Sequence, residues 1–203
     1  MKILGLFGSP RRGGNTDLLL EEVLKGAQSQ GAEIERIFLS QLNISPCQEC
    51  RKCEIFGNCV INDEMQDIYP KLTKANFIIL ASPIFFYNVT AQTKILIDRC
   101  QALWARKYIL KQRPLNKETL NRKGWFISVG ATKGDNLFKG VILTVKYFFD
   151  AVDVEYSGEL LFRKIDEKEA IKKHSTALKE AFYMGRQLIG EEKKDLNSDS
   201  ANC

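Results

Sequence analysis

Histidine is almost absent: the 203-residue chain has one, His174, so no Ser-His-Asp arrangement can be assembled without it and no histidine-rich metal site is available. His174 lies between lysines and Ser175 on the segment read as the last helix. No neighbour there offers a ligand or catalytic partner, and it is read as a solvent-facing helix residue. Long apolar runs are missing too. None approaches the ~20 residues that span a bilayer, so no membrane is expected as a partner. The apolar stretch Ile3 to Phe7 after Met1-Lys2 is too short for a signal peptide and is not followed by a small-residue cleavage site, so the expected location is the cytoplasm. Internal repeats and low-complexity blocks are also lacking.

What is present suits one folded domain. Hydrophobic residues make up 44% and charged residues 27%, the balance of a globular chain with a well-buried core. The expected division is one domain over residues 1–189, carrying a cysteine loop at 45–62, and a polar C-terminal tail at 190–203 that lacks periodicity. The formal charge of +5 is spread over alternating acids and bases, which reads as a solvated surface and not as a nucleic-acid footprint. One stretch is less balanced. Arg106, Lys107, Lys111, Arg113, Lys117, Arg122 and Lys123 surround the single acid Glu118, either as a solvated helix end and loop or as a docking surface for an acidic partner such as a ferredoxin.

Strands and helices alternate along the chain. Ile3 to Phe7 is a short buried strand ended by Gly8-Ser9-Pro10, and a helix capped by Asn15 or Thr16 runs to Gly31. Strands follow at Ile34 to Leu39, Phe77 to Ala81, Trp125 to Val129 and Val154 to Leu160. Helices are expected over Met65 to Ala75, Ala91 to Trp104, Phe138 to Ala151 and Asp166 to Leu188. Glu21-Glu22 and Asp63-Glu64 read as helix-start charges, not as catalytic carboxylates. Such alternation argues an α/β fold with a doubly wound parallel sheet of five strands and helices on both faces, whose ligands bind outside the carboxyl ends of the strands.

Three loops at those ends share a composition suited to a phosphorylated, flat ligand. Gly8 to Thr16 opens a helix whose first amides attract anions, with Ser9, Asn15 and Thr16 as donors and Arg11 as charge. It is neither a Walker A loop nor a G-x-G-x-x-G turn, and suits a terminal phosphate monoester; a plain strand-to-helix turn is the competing reading. Ser82-Pro83-Ile84-Phe85-Phe86 with Asn88 and Val89 places aromatic groups and backbone amides where a ring system and its polar edge would lie. Gly130-Ala131-Thr132 is the third such loop.

Gly8-Ser9-Pro10-Arg11 with Asn15-Thr16, Ser82 to Phe86, Lys94-Ile95-Leu96-Ile97-Asp98-Arg99 and Gly130-Ala131-Thr132 together resemble the NADPH-dependent FMN reductase and iron-sulfur flavoprotein group, over most of residues 1–188. The resemblance implies a flavodoxin-like fold with FMN as cofactor. Its phosphate would lie on the first loop, its isoalloxazine on the loop from Ser82 to Val89, and its other edge on Gly130 to Thr132. It also implies a homodimer or homotetramer with the flavin near a subunit interface.

Cys47, Cys50, Cys53 and Cys59 form two C-x-x-C steps and a later fourth thiol, in a loop after the second strand. Thiolates at that spacing can wrap an iron-sulfur cubane, and the run is close to, but not the same as, the bacterial ferredoxin pattern. It resembles the compact motif of iron-sulfur flavoproteins, which implies a 4Fe-4S cluster. Zinc, a redox C-x-x-C pair and metal-free thiols stay open as alternatives. Cys100 and Cys203 read as incidental.

The expected activity is an FMN-dependent oxidoreductase that takes electrons from ferredoxin or NAD(P)H and uses no protein nucleophile or general base, because the flavin carries the chemistry. Backbone donors near Asn88 and Val89 are expected to stabilise the reduced ring. A cluster-free NAD(P)H-dependent FMN or quinone reductase and a flavodoxin-like electron carrier are the alternatives.

Overall fold

The structure is a computed structural model that describes residues 1–116 and 121–200. Lys117 and Glu118 of the basic stretch, and Cys203, lie outside the described residues. Strands β1 (Lys2–Phe7), β2 (Glu33–Phe38), β3 (Phe77–Ala81), β4 (Lys123–Gly130) and β5 (Glu155–Arg163) pair in parallel in the order β2-β1-β3-β4-β5. This is the flavodoxin-like order, and strand direction of travel reverses between β1 and β3, which puts a ligand crevice at their carboxyl ends.

The central strands are apolar on both faces because helices cover both. Leu4, Leu6, Ile78, Leu80 and Phe126 pack against helices α3 (Met65–Lys74), α4 (Ala91–Arg99), α5 (Gln101–Tyr108) and α6 (Lys139–Ala151). Their neighbours Ile3, Phe7, Phe77, Ile79 and Ile127 point the other way, onto α1 (Asn15–Gln28) and α7 (Ala177–Ser200). A period of two along each strand thus feeds two cores. Helices α1 and α7 cross at bare backbone: a Cβ on Gly26 would fall 2.0 Å from the Phe182 carbonyl oxygen, and one on Gly185 would fall 1.9 Å from that of Val23.

Two helices differ from the sequence expectation. The segment Ala91 to Trp104 is divided at Cys100, whose amide is shared between the carbonyls of Leu96 and Ile97 and whose ψ of −1° flattens the helix there. The last helix starts at Ala177, not at Asp166. Glu169 takes a left-handed φ of 64°, a short 3-10 turn follows at Ala170–Lys173, and His174 is extended. His174 is exposed as expected, but it caps: its Nδ1 accepts hydrogen bonds from the amides of Thr176 (3.4 Å) and Ala177 (3.2 Å). The helix then continues through Ser200, into the segment expected as a tail. No helix among the described residues is long and apolar enough to cross a membrane.

Candidate functional site

At the end of β1 the chain turns on Gly8, which has no room for a side chain: a Cβ there would lie 2.1 Å from Thr93 Oγ1. The Gly8 amide donates to the Ala81 carbonyl (2.7 Å), and its own carbonyl accepts from Thr90 Oγ1 (2.6 Å), so the first and third strand-end loops are braced together. Ser9 Oγ closes a tight turn by accepting from the Arg11 amide (3.1 Å), and helix α1 begins six residues after Ser9, at Asn15.

The first turn of α1 holds two unpaired polar atoms. Thr16 is 1% exposed and its Oγ1 has no partner among the described residues; the same holds for Asp17 Oδ1. Asp17 Oδ2 accepts the Gly13 amide at 2.9 Å. Burial nevertheless raises the Asp17 carboxyl to about 6, against the lowering effects of that amide and of Arg12. Asn15 was expected as a cap and ligand donor. It is not the cap: the α1 N-cap is Gly14, with no side-chain cap. The Asn15 side chain donates to Glu167 O (2.8 Å) and accepts from the Ile171 amide (3.1 Å), clasping the segment after β5 onto the loop.

Ser9, Arg11, Asn15 and Thr16 line one small cleft with Pro83, Ile84, Phe85, Gly130 and Ala131, so nine expected residues from three separate loops meet there. Asp166 and Lys168 also line it, from a segment the sequence reading had absorbed into the last helix. Ser82, Phe86, Asn88, Val89 and Thr132 are outside that lining. Ser82 is buried and structural, accepting the Thr90 amide (3.1 Å) and receiving Ser128 Oγ on its carbonyl (2.7 Å).

Residues Phe85 to Asn88 make a tight turn in which each end's amide donates to the other's carbonyl, at 2.8 and 3.0 Å. Phe86 and Tyr87 sit at its tip with φ of 47° and 61°, the pattern of a type I′ turn that usually requires Gly or Asn. Phe86 is fully exposed. The amides of Asn88 and Val89, expected to face a ring, are already engaged: Asn88 N donates to Phe85 O and Val89 N to Asn88 Oδ1 (2.8 Å).

The cysteine loop leaves β2 and returns to α3, containing the short helix α2 (Lys52–Phe56). Cys47 and Cys50 are exposed, Cys53 and Cys59 half-buried, and none is in a disulfide. All four line a cavity of about 740 Å³ that Trp104 and Tyr147 also line. Burial raises the Cys53 thiol against a backbone hydrogen bond that lowers it, and charge on Cys59, Cys47 and Cys50 raises it further. Among the described residues no three His, Cys, Asp or Glu side chains stand as a formed metal site. Cys100, read as incidental, is buried in the wall of the same cavity.

The basic stretch is not a continuous surface. Lys107 is buried against Asp150 (2.9 Å) and Asp153 (3.4 Å), and Arg113 pairs with Asp153. Arg122 is interior, donating to the carbonyls of Ala75, Val152 and Leu72, and burial lowers its pKa to about 10.

The model of the NADPH-dependent FMN reductase family matches residues 1–137. An iron-sulfur flavoprotein of Methanosarcina thermophila is 36% identical over 133 residues, covering 66% of this chain and 65% of that protein. One of Methanocaldococcus jannaschii is 37% identical, covering 66% and 64%. The chain therefore spans just under two thirds of the length of these relatives. Among solved structures, an NAD(P)H:quinone oxidoreductase from Methanothermobacter marburgensis superposes with a TM-score of 0.71 at 17% identity, covering 93% of this chain and 96% of that one. A flavone reductase does so at 0.70 and 22%, covering 97% and 64%, and at these identities the two show the fold alone.

Proposed function

The chain belongs to the NADPH-dependent FMN reductase family, and from that premise we propose that it is an FMN-dependent oxidoreductase with a 4Fe-4S cluster on Cys47, Cys50, Cys53 and Cys59. Electrons would enter from NAD(P)H or ferredoxin. The observation that carries the flavin half is the orphaned Thr16 hydroxyl, buried at the start of α1 where three strand-end loops converge. A buried donor without an acceptor is costly, and a phosphate on the helix N-terminus supplies that acceptor.

The residues divide the work. Thr16, Ser9 and the first amides of α1 would hold the phosphate, with Arg11 and Lys168 as mobile charge at the rim. Pro83, Ile84 and Phe85 would flank the ring, and Gly130 and Ala131 its far edge. The strained tip at Phe86 and Tyr87 leaves those two amides without an acceptor among the described residues, and they replace Asn88 and Val89 as candidates for the ring's polar edge. When bound, FMN supplies the exchange of one or two electrons. Exposed Phe86, Tyr87 and Tyr147 fit a homodimer or homotetramer that covers them.

Four free thiols lining one cavity suit iron-sulfur or zinc ligation. Free thiols also fit a reducing cytoplasm. An ultraviolet-visible spectrum of anaerobically purified protein, with iron and sulfide assayed on the same sample, tests both halves. Flavin bands with a dithionite-bleached shoulder and roughly four irons per chain are expected. Flavin without iron would replace this reading by a cluster-free reductase, and absence of both chromophores would overturn it.

A further inference from the structure

The cysteine loop closes at its neck on one interior side chain. Arg99, the last residue of α4, has a side chain with no solvent exposure. Its Nη1 donates to the Ser45 carbonyl (2.8 Å) and to Asp63 Oδ2 (2.6 Å), and its Nη2 to Asp63 Oδ1 (3.1 Å) and the Ile61 carbonyl (3.4 Å). These acceptors stand on both sides of the thiols: Ser45 precedes Cys47, while Ile61 and Asp63 follow Cys59. Asp63 also receives the amides of Ser45 (2.9 Å) and Met65 (3.1 Å), and Tyr69 of α3 donates its hydroxyl to the Arg99 carbonyl (2.8 Å). Burial opposes ionisation of Asp63, yet Arg99 and the two amides prevail and hold its carboxyl below the usual range. The remaining donor, Arg99 Nε, is buried and has no acceptor among the described residues, and Arg99 lines the same cavity as Cys47, Cys50, Cys53 and Cys59.

We propose that Arg99 is a positioning residue for the four-thiol site: its guanidinium fork ties both ends of the loop to α4, and its buried charge offsets the negative charge of ligating thiolates. A lysine would not replace it, since one ammonium cannot reproduce a planar fork spread over two carbonyls and both oxygens of a carboxylate. The proposal rests on the reading that these thiols hold a metal centre. Its device is independent of which metal that is, because the acceptors are loop backbone and Asp63.

The test uses the full chain with FMN bound and the variants Arg99→Met, Arg99→Lys and Asp63→Asn. Hydrogen exchange over residues 45–63 is measured without metal, then titration with Co(II) followed by its thiolate charge-transfer bands, then iron and sulfide retention after reconstitution. Arg99→Met is expected to speed exchange in the loop at least about tenfold. It should also weaken cobalt binding about 10- to 100-fold, with fainter charge-transfer bands, while flavin content and the circular dichroism spectrum stay unchanged. Arg99→Lys should rescue less than half of the lost band intensity. Where Arg99→Met fails to fold, the near-isosteric Asp63→Asn is expected to show the same changes at smaller amplitude. Loop exchange and cobalt affinity within about twofold of wild type in the folded variants would overturn the proposal. If wild-type protein takes up neither cobalt nor iron while loop exchange still rises in the variants, the metal reading and the charge-offset role fall and the clasp alone stands.

Discussion

Thr16 and Asp17 are adjacent in the first turn of α1, and both bury an oxygen with no partner among the described residues, but the two are read out differently: one through ligand affinity, the other through pH. Thr16→Val removes a hydroxyl that nothing among the described residues satisfies, so the flavin-free chain should be as stable as wild type or more so. Loss of a hydrogen bond to a charged phosphate should at the same time weaken FMN binding by about 1.5–3 kcal/mol, measurable by fluorescence titration. Equal loss of stability and affinity would show the hydroxyl to be structural. Asp17 sets a pH dependence. Its carboxyl is raised from 3.8 to about 6 in the folded chain, so the fold binds that proton more tightly than the unfolded chain does. The group's contribution is therefore fully present below about pH 4 and is lost as pH rises through about 6. Asp17→Asn should melt higher than wild type at pH 7.5, by roughly 1–3 kcal/mol, and the gap should close toward pH 4. A constant gap across that range in thermal melts would refute the assignment.

At the scale of elements, the α1–α7 crossing makes a sharp demand. Gly26→Ala or Gly185→Ala would drive a methyl into a backbone carbonyl of the facing helix, with no flexible side chain to yield. A loss of about 1–3 kcal/mol or more is expected in denaturant titration, although alanine is the better helix former. This contact was not legible in the sequence, because glycine inside a helical pattern carries no record of what approaches it. The strands were legible, since runs such as Phe77 to Ala81 are apolar throughout and bounded by polar or turn residues. The helix divided at Cys100 was not, for neither Gly nor Pro marks the break. The start of α7 was misplaced because residues 166–176 are charged at spacings a helix also shows, while the left-handed turn at Glu169 leaves no compositional trace. That same error hid Lys168 and Asp166 at the edge of the cleft. Ser9 and Thr16, which do line the cleft, were legible because strand-end loops gather small and hydroxyl residues. Asn15 has the composition of a cap, but its partners lie more than 150 positions away, which local sequence does not record.

For the whole molecule, the tertiary fold dismantles the apparent basic patch. Lys107 and Arg122 are interior and Arg113 is held by Asp153, so three cations of the stretch are withdrawn or paired on the described part of that face. Replacing Lys111 and Arg113 by alanine should change the rate of reduction by a ferredoxin less than about twofold at low salt, against the much larger effect of a steering surface. A strong loss that fades with added salt would restore the docking idea. The closed neck of the cysteine loop has its own consequence at this scale. Asn43 N donates to Glu64 (2.5 Å) and Ser45 N to Asp63, so the two ends of the segment meet. No strand lies between Ser45 and Asp63, so a short turn spliced there re-registers nothing in the sheet and should leave a chain that folds and still retains yellow colour on purification.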